Sequence, residues 1–153
     1  MLRSSIKKTG LVRKFVFIGG LVILGLIYIS AIKSQKEMTP LFIGKQSLSV
    51  EIANNSQKRS VGLCCRDSLP QDQGMLFVYD KAGDYRFWMK NTKIPLDMFW
   101  IDSNKQIVHI EKDVQPSSYP KSFGSTEPAQ YVLETNAGFA DKFQIKNRDN
   151  VAF

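Results

Sequence analysis

The sequence predicts a mainly β domain of α+β type: a compact, antiparallel, barrel-like sheet with one or two short helices, behind an N-terminal transmembrane helix. Three observations carry this reading. Residues 15–32 form an uncharged apolar run, short alternating or apolar segments follow at close spacing beyond residue 41, and turn-forming residues separate them. At 153 residues the chain has room for one small domain and not two.

The N-terminal part accounts for the charge. The 21 Lys and Arg against 14 Asp and Glu give +7, which by itself invites a nucleic-acid partner. Residues 1–36 hold Arg3, Lys7, Lys8, Arg13, Lys14, Lys33 and Lys36 and no acid, so the charges of 37–153 cancel. No nucleic acid is expected. Residues 1–14 read as a basic cytoplasmic N-terminus, and Phe15–Ile32 as a helix of about 27 Å, close to the bilayer core. Five bases before the run and two after it place the N-terminus inside and the following domain outside. The expectation is a single-pass signal anchor in the cytoplasmic membrane carrying a periplasmic or otherwise extracytoplasmic domain. A cleaved secretory signal is the alternative, since Ser30 and Ala31 are small, although Ile29 fills the first small position of an A-x-A-like site.

Residues 33–40 are polar, end in Pro40 and read as a linker, so the exported domain spans 41–153. Ser47–Ala53 alternates polar and apolar residues and predicts a strand buried on one face. Ser56 can cap a short helix over 57–65, with Val61, Cys64 and Cys65 on one face and closure before Pro70. Met75–Tyr79, Tyr85–Met89, Met98–Asp102 and Gln106–Ile110 read as four strands between turns. Residues 116–128, with three Pro and four Ser, form the longest irregular connection, and such loops are often functional. Gln130–Thr135 is a strand, Ala137–Phe143 a helical turn and Asn150–Phe153 a closing strand.

The adjacent Cys64 and Cys65 do not form the spaced framework that staples small secreted folds. A vicinal or intermolecular disulfide is open to them, but free cysteines are so often buried that one of the two is expected to fill core space. No metal site and no cofactor are expected: metal-binding thiolates are spaced and joined by His, and the one His, His109, is distant in sequence.

Arg59–Arg66 (Arg-Ser-Val-Gly-Leu-Cys-Cys-Arg), Gly74-Met75-Leu76-Phe77, Phe87-Trp88-Met89-Lys90-Asn91-Thr92, Pro95-Leu96-Asp97 and Tyr131-Val132-Leu133-Glu134 together resemble the bacterial and archaeal family called domain of unknown function 192. The resemblance covers about residues 48–153. It implies a mainly β, barrel-like domain, commonly behind a signal peptide or anchor, with no established activity. Two positions depart from the family pattern. Cys64 stands where the family usually has Met, and Asn147-Arg148-Asp149 replaces its Gly-Asp turn.

Candidate ligand-binding residues are Arg66, Lys90, Asn91, Thr92, Asp97 and Glu134. A strand ending at Met89 delivers a cation, an amide and a hydroxyl into a turn that Pro95 rigidifies, and Asp97 opens the next strand. Arg66 offers a planar fork for a carboxylate or phosphate, and Glu134, in an otherwise apolar strand, demands a partner if buried. Turn chemistry alone also explains Asn91, Thr92 and Asp97, and an Arg66 pair with Glu134 or Asp97 would be structural. His109 is expected to face away from Val108 and Ile110. The metalloprotease helix motif, nucleophile elbow, phosphate-binding loop and dinucleotide fingerprint are absent from the sequence. The sequence therefore points to a ligand-binding or accessory module of the cell envelope, meeting an envelope ligand or protein, with a groove bordered by the 90–97 turn and the 116–128 loop. The alternative is an exported hydrolase using Asp97 and Glu134 as acid and base on envelope material.

Overall fold

The computed structural model describes residues 37–153. The basic segment 1–14, the apolar run 15–32 and residues 33–36 of the expected linker lie outside the described residues. Among the described residues no helix is long and apolar enough to cross a membrane.

The elements in chain order are β1 (Met38–Ile43), β2 (Gln46–Ala53), α1 (Ser56–Val61), β3 (Gln73–Gly83), β4 (Phe87–Trp88), β5 (Leu96–Ile101) and β6 (Ile107–Val114). A 3-10 turn at Pro116–Ser118, β7 (Ser122–Phe123), β8 (Ala129–Asn136), α2 (Phe139–Lys142) and β9 (Val151–Ala152) follow. Seven strands form one sheet in the order β6-β5-β8-β3-β2-β1-β9, and β4 pairs with β7 in a separate ribbon. All pairs are antiparallel except β2 with β3. A parallel pair needs a crossover of a dozen or more residues, and the segment 54–72, containing α1, supplies it.

The sheet curls into a half-barrel whose two edges meet at one corner. There the Ile107 N–H donates to the Asp149 carbonyl at 3.0 Å, the Arg148 N–H to the Ile107 carbonyl at 2.8 Å and the Val151 N–H to the Lys105 carbonyl at 2.8 Å. Arg148, in the segment that departs from the family turn, takes φ 76 in the left-handed region, and Asp149 Oδ2 accepts the Lys146 N–H at 2.9 Å. A tight turn forms here, with Arg148 accepting a backbone conformation that glycine adopts more cheaply.

Both faces of the sheet are buried. Leu41, Val50, Leu76, Phe99 and Leu133 pack on one side beneath α2 residues Phe139 and Ala140. Met75, Phe77, Met98, Trp100 and Val132 pack on the other beneath Leu63, Leu69, Phe87 and Met89. Successive residues alternate between the two cores, so the central strands read as continuous apolar runs, and every residue of β5 is buried.

Several expectations are corrected. Residues 38–40, expected as linker, are the first half of β1. The helix begins at Ser56 but is capped by Asn55, whose Oδ1 accepts the Lys58 N–H at 2.8 Å, and it ends at Gly62 with φ 55 instead of reaching 65. No α1 residue is buried, and Val61 is 57% exposed. The expected strand at 85–89 shortens to Phe87–Trp88, and the 116–128 connection contains β7. His109 faces away from Ile110 but toward the same core as Val108, because the β5–β6 register slips between Trp100 and Ile101. Its ring lies 5.4 Å from that of Trp100.

Candidate functional site

The site begins with strand register. Glu51 on β2 pairs with Met75 on β3, Met75 with Glu134 on β8, and Glu134 with Met98 on β5. Directly paired residues project from the same face, so two carboxylates and two methionines form a row across four strands. The segment following α1 covers that row, leaving Glu51 and Glu134 only 6% and 5% exposed. Gly74 next to Met75 allows β3 and β8 to approach closely: a Cβ there would stand 2.6 Å from the Glu134 carbonyl oxygen.

Arg66, beyond α1, answers one of the two carboxylates. Its guanidinium donates from Nη1 and Nη2 to the two Glu51 oxygens at 2.6 and 2.9 Å, a bidentate pair. The partner expected for Arg66 was Glu134 or Asp97. Glu51 escapes a sequence reading because it occupies a polar position of the alternating Ser47–Ala53 strand, where alternation alone marks a solvent face.

Glu134 has no hydrogen-bond partner among the described residues. Burial pushes its carboxyl up to about 8, with the nearby Arg66 charge pulling the other way. It lies at the base of a cleft of about 110 Å³ together with Phe77. Arg59, Val61 and Cys64 form one wall, and Arg86, Trp88, Lys90 and Thr92 the other. Among the described residues, no carboxylate forms an ion pair with Arg59, Arg86 or Lys90. Each is held by other contacts. Arg59 donates to the Val78 carbonyl at 2.9 Å and lies over the Tyr79 ring, Arg86 donates to Ser122, and the Lys90 ammonium sits 5.7 Å from the Trp88 ring centroid. Tyr79, half-buried beside them, is pushed up to about 12 mainly by burial and stays a neutral phenol. Trp88 is 55% exposed, and Tyr119 of the long loop packs edge-on against it at 5.9 Å. The 116–128 loop therefore braces a cleft wall through β7 and Tyr119.

Of the six residues singled out by the sequence, Lys90, Thr92 and Glu134 line this cleft. Arg66 is bound to Glu51, and Asn91 is exposed at a φ of 56, its carbonyl accepting the Cys65 N–H at 2.9 Å. Asp97 lies elsewhere. It is fully buried on the opposite face, where Oδ1 accepts the Asp113 N–H and Oδ2 the Ala140 N–H, each at 2.8 Å. The second bond satisfies an amide in the first turn of α2, a group that has no partner within the helix. Asp97 and Glu134 thus do not form an acid–base pair, because the sheet lies between their side chains.

Three contributors escaped the sequence reading as site residues: Arg59, Arg86 and Trp88. The first was legible only as part of the Arg59–Arg66 run, and the third only as part of the Phe87–Thr92 stretch. Cys64 and Cys65 are joined as a vicinal disulfide. Cys64 is half-buried and Cys65 exposed, while Leu63 occupies the core position expected for one of them. A larger and more open hollow of about 540 Å³ lies where β1 meets β9. Its one acid, Asp149, is engaged by the Lys146 amide.

A half-barrel domain with a buried acid beneath a basic and aromatic cleft is the class these observations define. Residues 39–153 match the family model DUF192, described as Uncharacterized ACR, and the chain belongs to that family. It is similar to a protein of unknown function from Novosphingobium aromaticivorans DSM 12444, at 28% identity and a TM-score of 0.74, over 78% of this chain and 88% of that one. It is also similar to a Sinorhizobium meliloti 1021 protein whose structure carries a proposed role as a transcription regulator. That match has 35% identity and a TM-score of 0.71, over 77% of this chain and 93% of that one. No curated protein matches the sequence.

Proposed function

We propose that the chain is a membrane-anchored, extracytoplasmic ligand-binding module of the cell envelope whose site is the cleft above Glu134. The carrying observation is Glu134 itself: a carboxyl 5% exposed, with no hydrogen-bond partner among the described residues, at the base of a cleft. Its oxygens have no protein partner among the described residues, so in the cleft they are left to water or to a ligand. The basic segment and apolar run of 1–32 supply the anchor in this reading. The balanced charge of residues 37–153 favours a small ligand over a nucleic-acid duplex. The hydrolase alternative loses its carboxylate pair, since Asp97 is committed on the other face.

The test is thermal melting of the full-length protein against small carboxylates, oligosaccharides, cell-wall fragments, nucleotides and short peptides, with Trp88→Ala and Lys90→Ala as controls. Both controlled side chains are exposed and leave the cores intact. A compound at 100 times its dissociation constant adds about 2.7 kcal/mol, a shift of several degrees for a domain of this size. A shift abolished in either variant supports the reading. Shifts that survive both variants, or none at all, overturn it.

A further inference from the structure

We infer that the cleft takes a small carboxylate with an apolar body, its charge balanced by Arg59, Arg86 and Lys90 and its oxygen hydrogen-bonded by the Glu134 carboxyl. This rests on the reading of the cleft as a binding site and adds the chemistry of its ligand. Three features of the cleft select that chemistry. The sign of the rim comes first: three cations line it and none has a carboxylate partner among the described residues, so an ammonium ligand meets only repulsion on the way in. The walls come second: their exposed surface is mostly polar, and the Trp88 ring, 55% exposed, offers the aromatic face that a ligand's apolar body can lie against and that a fully hydrated inorganic anion leaves unused. Size is third: about 110 Å³ is well below the 300–1,000 Å³ of drug-sized pockets, so the ligand is small.

Glu134 then decides how the anion is held. A carboxyl held protonated by burial donates an O–H to a carboxylate, and the two groups share one proton. Once ionised, Glu134 repels the same ligand. The charged and titratable groups near it are few. Arg59, Arg66 and Arg86 are the guanidinium groups around it, Tyr79 stays neutral because it is pushed up to about 12, and Glu51 is engaged by Arg66. Lys90 is the remaining cation of the rim, and a Glu134→Gln variant separates its contribution from that of the buried carboxyl.

The experiment is calorimetric titration of the full-length protein with phenylacetate, 2-phenylethanol and inorganic phosphate at pH 6.5 and pH 9. With Glu134 pushed up to about 8, roughly a tenth of it stays protonated at pH 9. Phenylacetate is expected to bind about tenfold more weakly there. Glu134→Gln keeps an N–H donor, so it binds phenylacetate with that pH dependence removed, and Arg86→Ala weakens binding at both values. Equal binding of 2-phenylethanol, or phosphate binding as tight as that of phenylacetate, overturns the carboxylate while leaving the cleft as a binding site. Phenylacetate binding that Trp88→Ala and Arg86→Ala both leave unchanged places the ligand elsewhere and overturns both readings.

Discussion

Asp97 pairs in register with Thr135, the residue that follows Glu134, so the two buried acids at this point of the β5–β8 ladder face opposite sides of one sheet. Their environments differ as much as their directions. The Asp97 oxygens are each filled by a backbone amide, whereas the Glu134 oxygens face a cleft. One acid holds the fold together, and the other is left for chemistry.

Replacing Asp97 by Ala is expected to destabilise the domain by about 3–5 kcal/mol, since a buried and a part-buried amide lose a charged acceptor. One of them lies in α2 and the other follows Lys112 on β6, so α2 and β6 loosen together. Chemical denaturation checks this. A loss below about 1 kcal/mol contradicts the role assigned to Asp97.

Glu134 makes stability depend on pH in the direction opposite to that of a salt-bridged acid. Its folded value of about 8 lies above the ordinary 4.5, so the folded state binds the proton more tightly than the unfolded one. Its stabilising contribution is full below pH 4.5, falls as pH rises toward 8 and is lost beyond, a change of roughly 5 kcal/mol at most. Glu134→Gln is expected to flatten this slope and to exceed the wild type in stability at pH 9. Urea midpoints at pH 5, 7 and 9 for both proteins decide it.

The Arg66–Glu51 pair predicts an asymmetry. Arg66→Ala strips a nearly buried carboxylate of both guanidinium hydrogen bonds and is expected to cost about 3–5 kcal/mol. Glu51→Ala leaves a guanidinium whose side chain is 21% exposed and able to reach water, and is expected to cost less. Arg66→Ala also removes the charge that restrains Glu134, so the pH at which Glu134 ionises moves upward. Denaturation of both variants, with NMR titration of Glu134, reads the two effects.

Gly74→Ala is expected to destabilise by about 1–3 kcal/mol, because the added methyl meets backbone rather than a yielding side chain. Since that backbone belongs to Glu134, the variant is also expected to disturb ligand binding. A fully stable, fully binding Gly74→Ala protein contradicts the close approach.

The strand pattern was legible where one signal dominated. Ser47–Ala53 alternates and lies within β2, and the apolar runs at 75–79, 98–102 and 130–135 fall on β3, β5 and β8 because those strands are buried on both faces. β1 was hidden by Pro40, which breaks most strands. Here β9 pairs with β1 only at Phe42 and Ile43, so at Pro40 the strand is an edge and tolerates a residue without an amide hydrogen. The site was half legible. Lys90, Thr92 and Glu134 share a cleft, but Arg59 and Arg86 lie 27 residues apart and are brought together only by tertiary folding. Likewise, no local pattern distinguishes Glu51, beneath a covering segment, from a solvated acid on an alternating strand.

The corner where β6 meets the segment 148–151 acts as a seam. Without it, the 37–153 domain would offer two open strand edges, each a template on which another chain could add. Lys105 reinforces the seam by lying over the rings of Tyr131 and Phe153, 4.3 and 3.0 Å from their centroids. Residues 148–153 thereby shield the β1 and β6 edges, and shortening them is expected to leave most of both cores untouched while opening those edges to another chain.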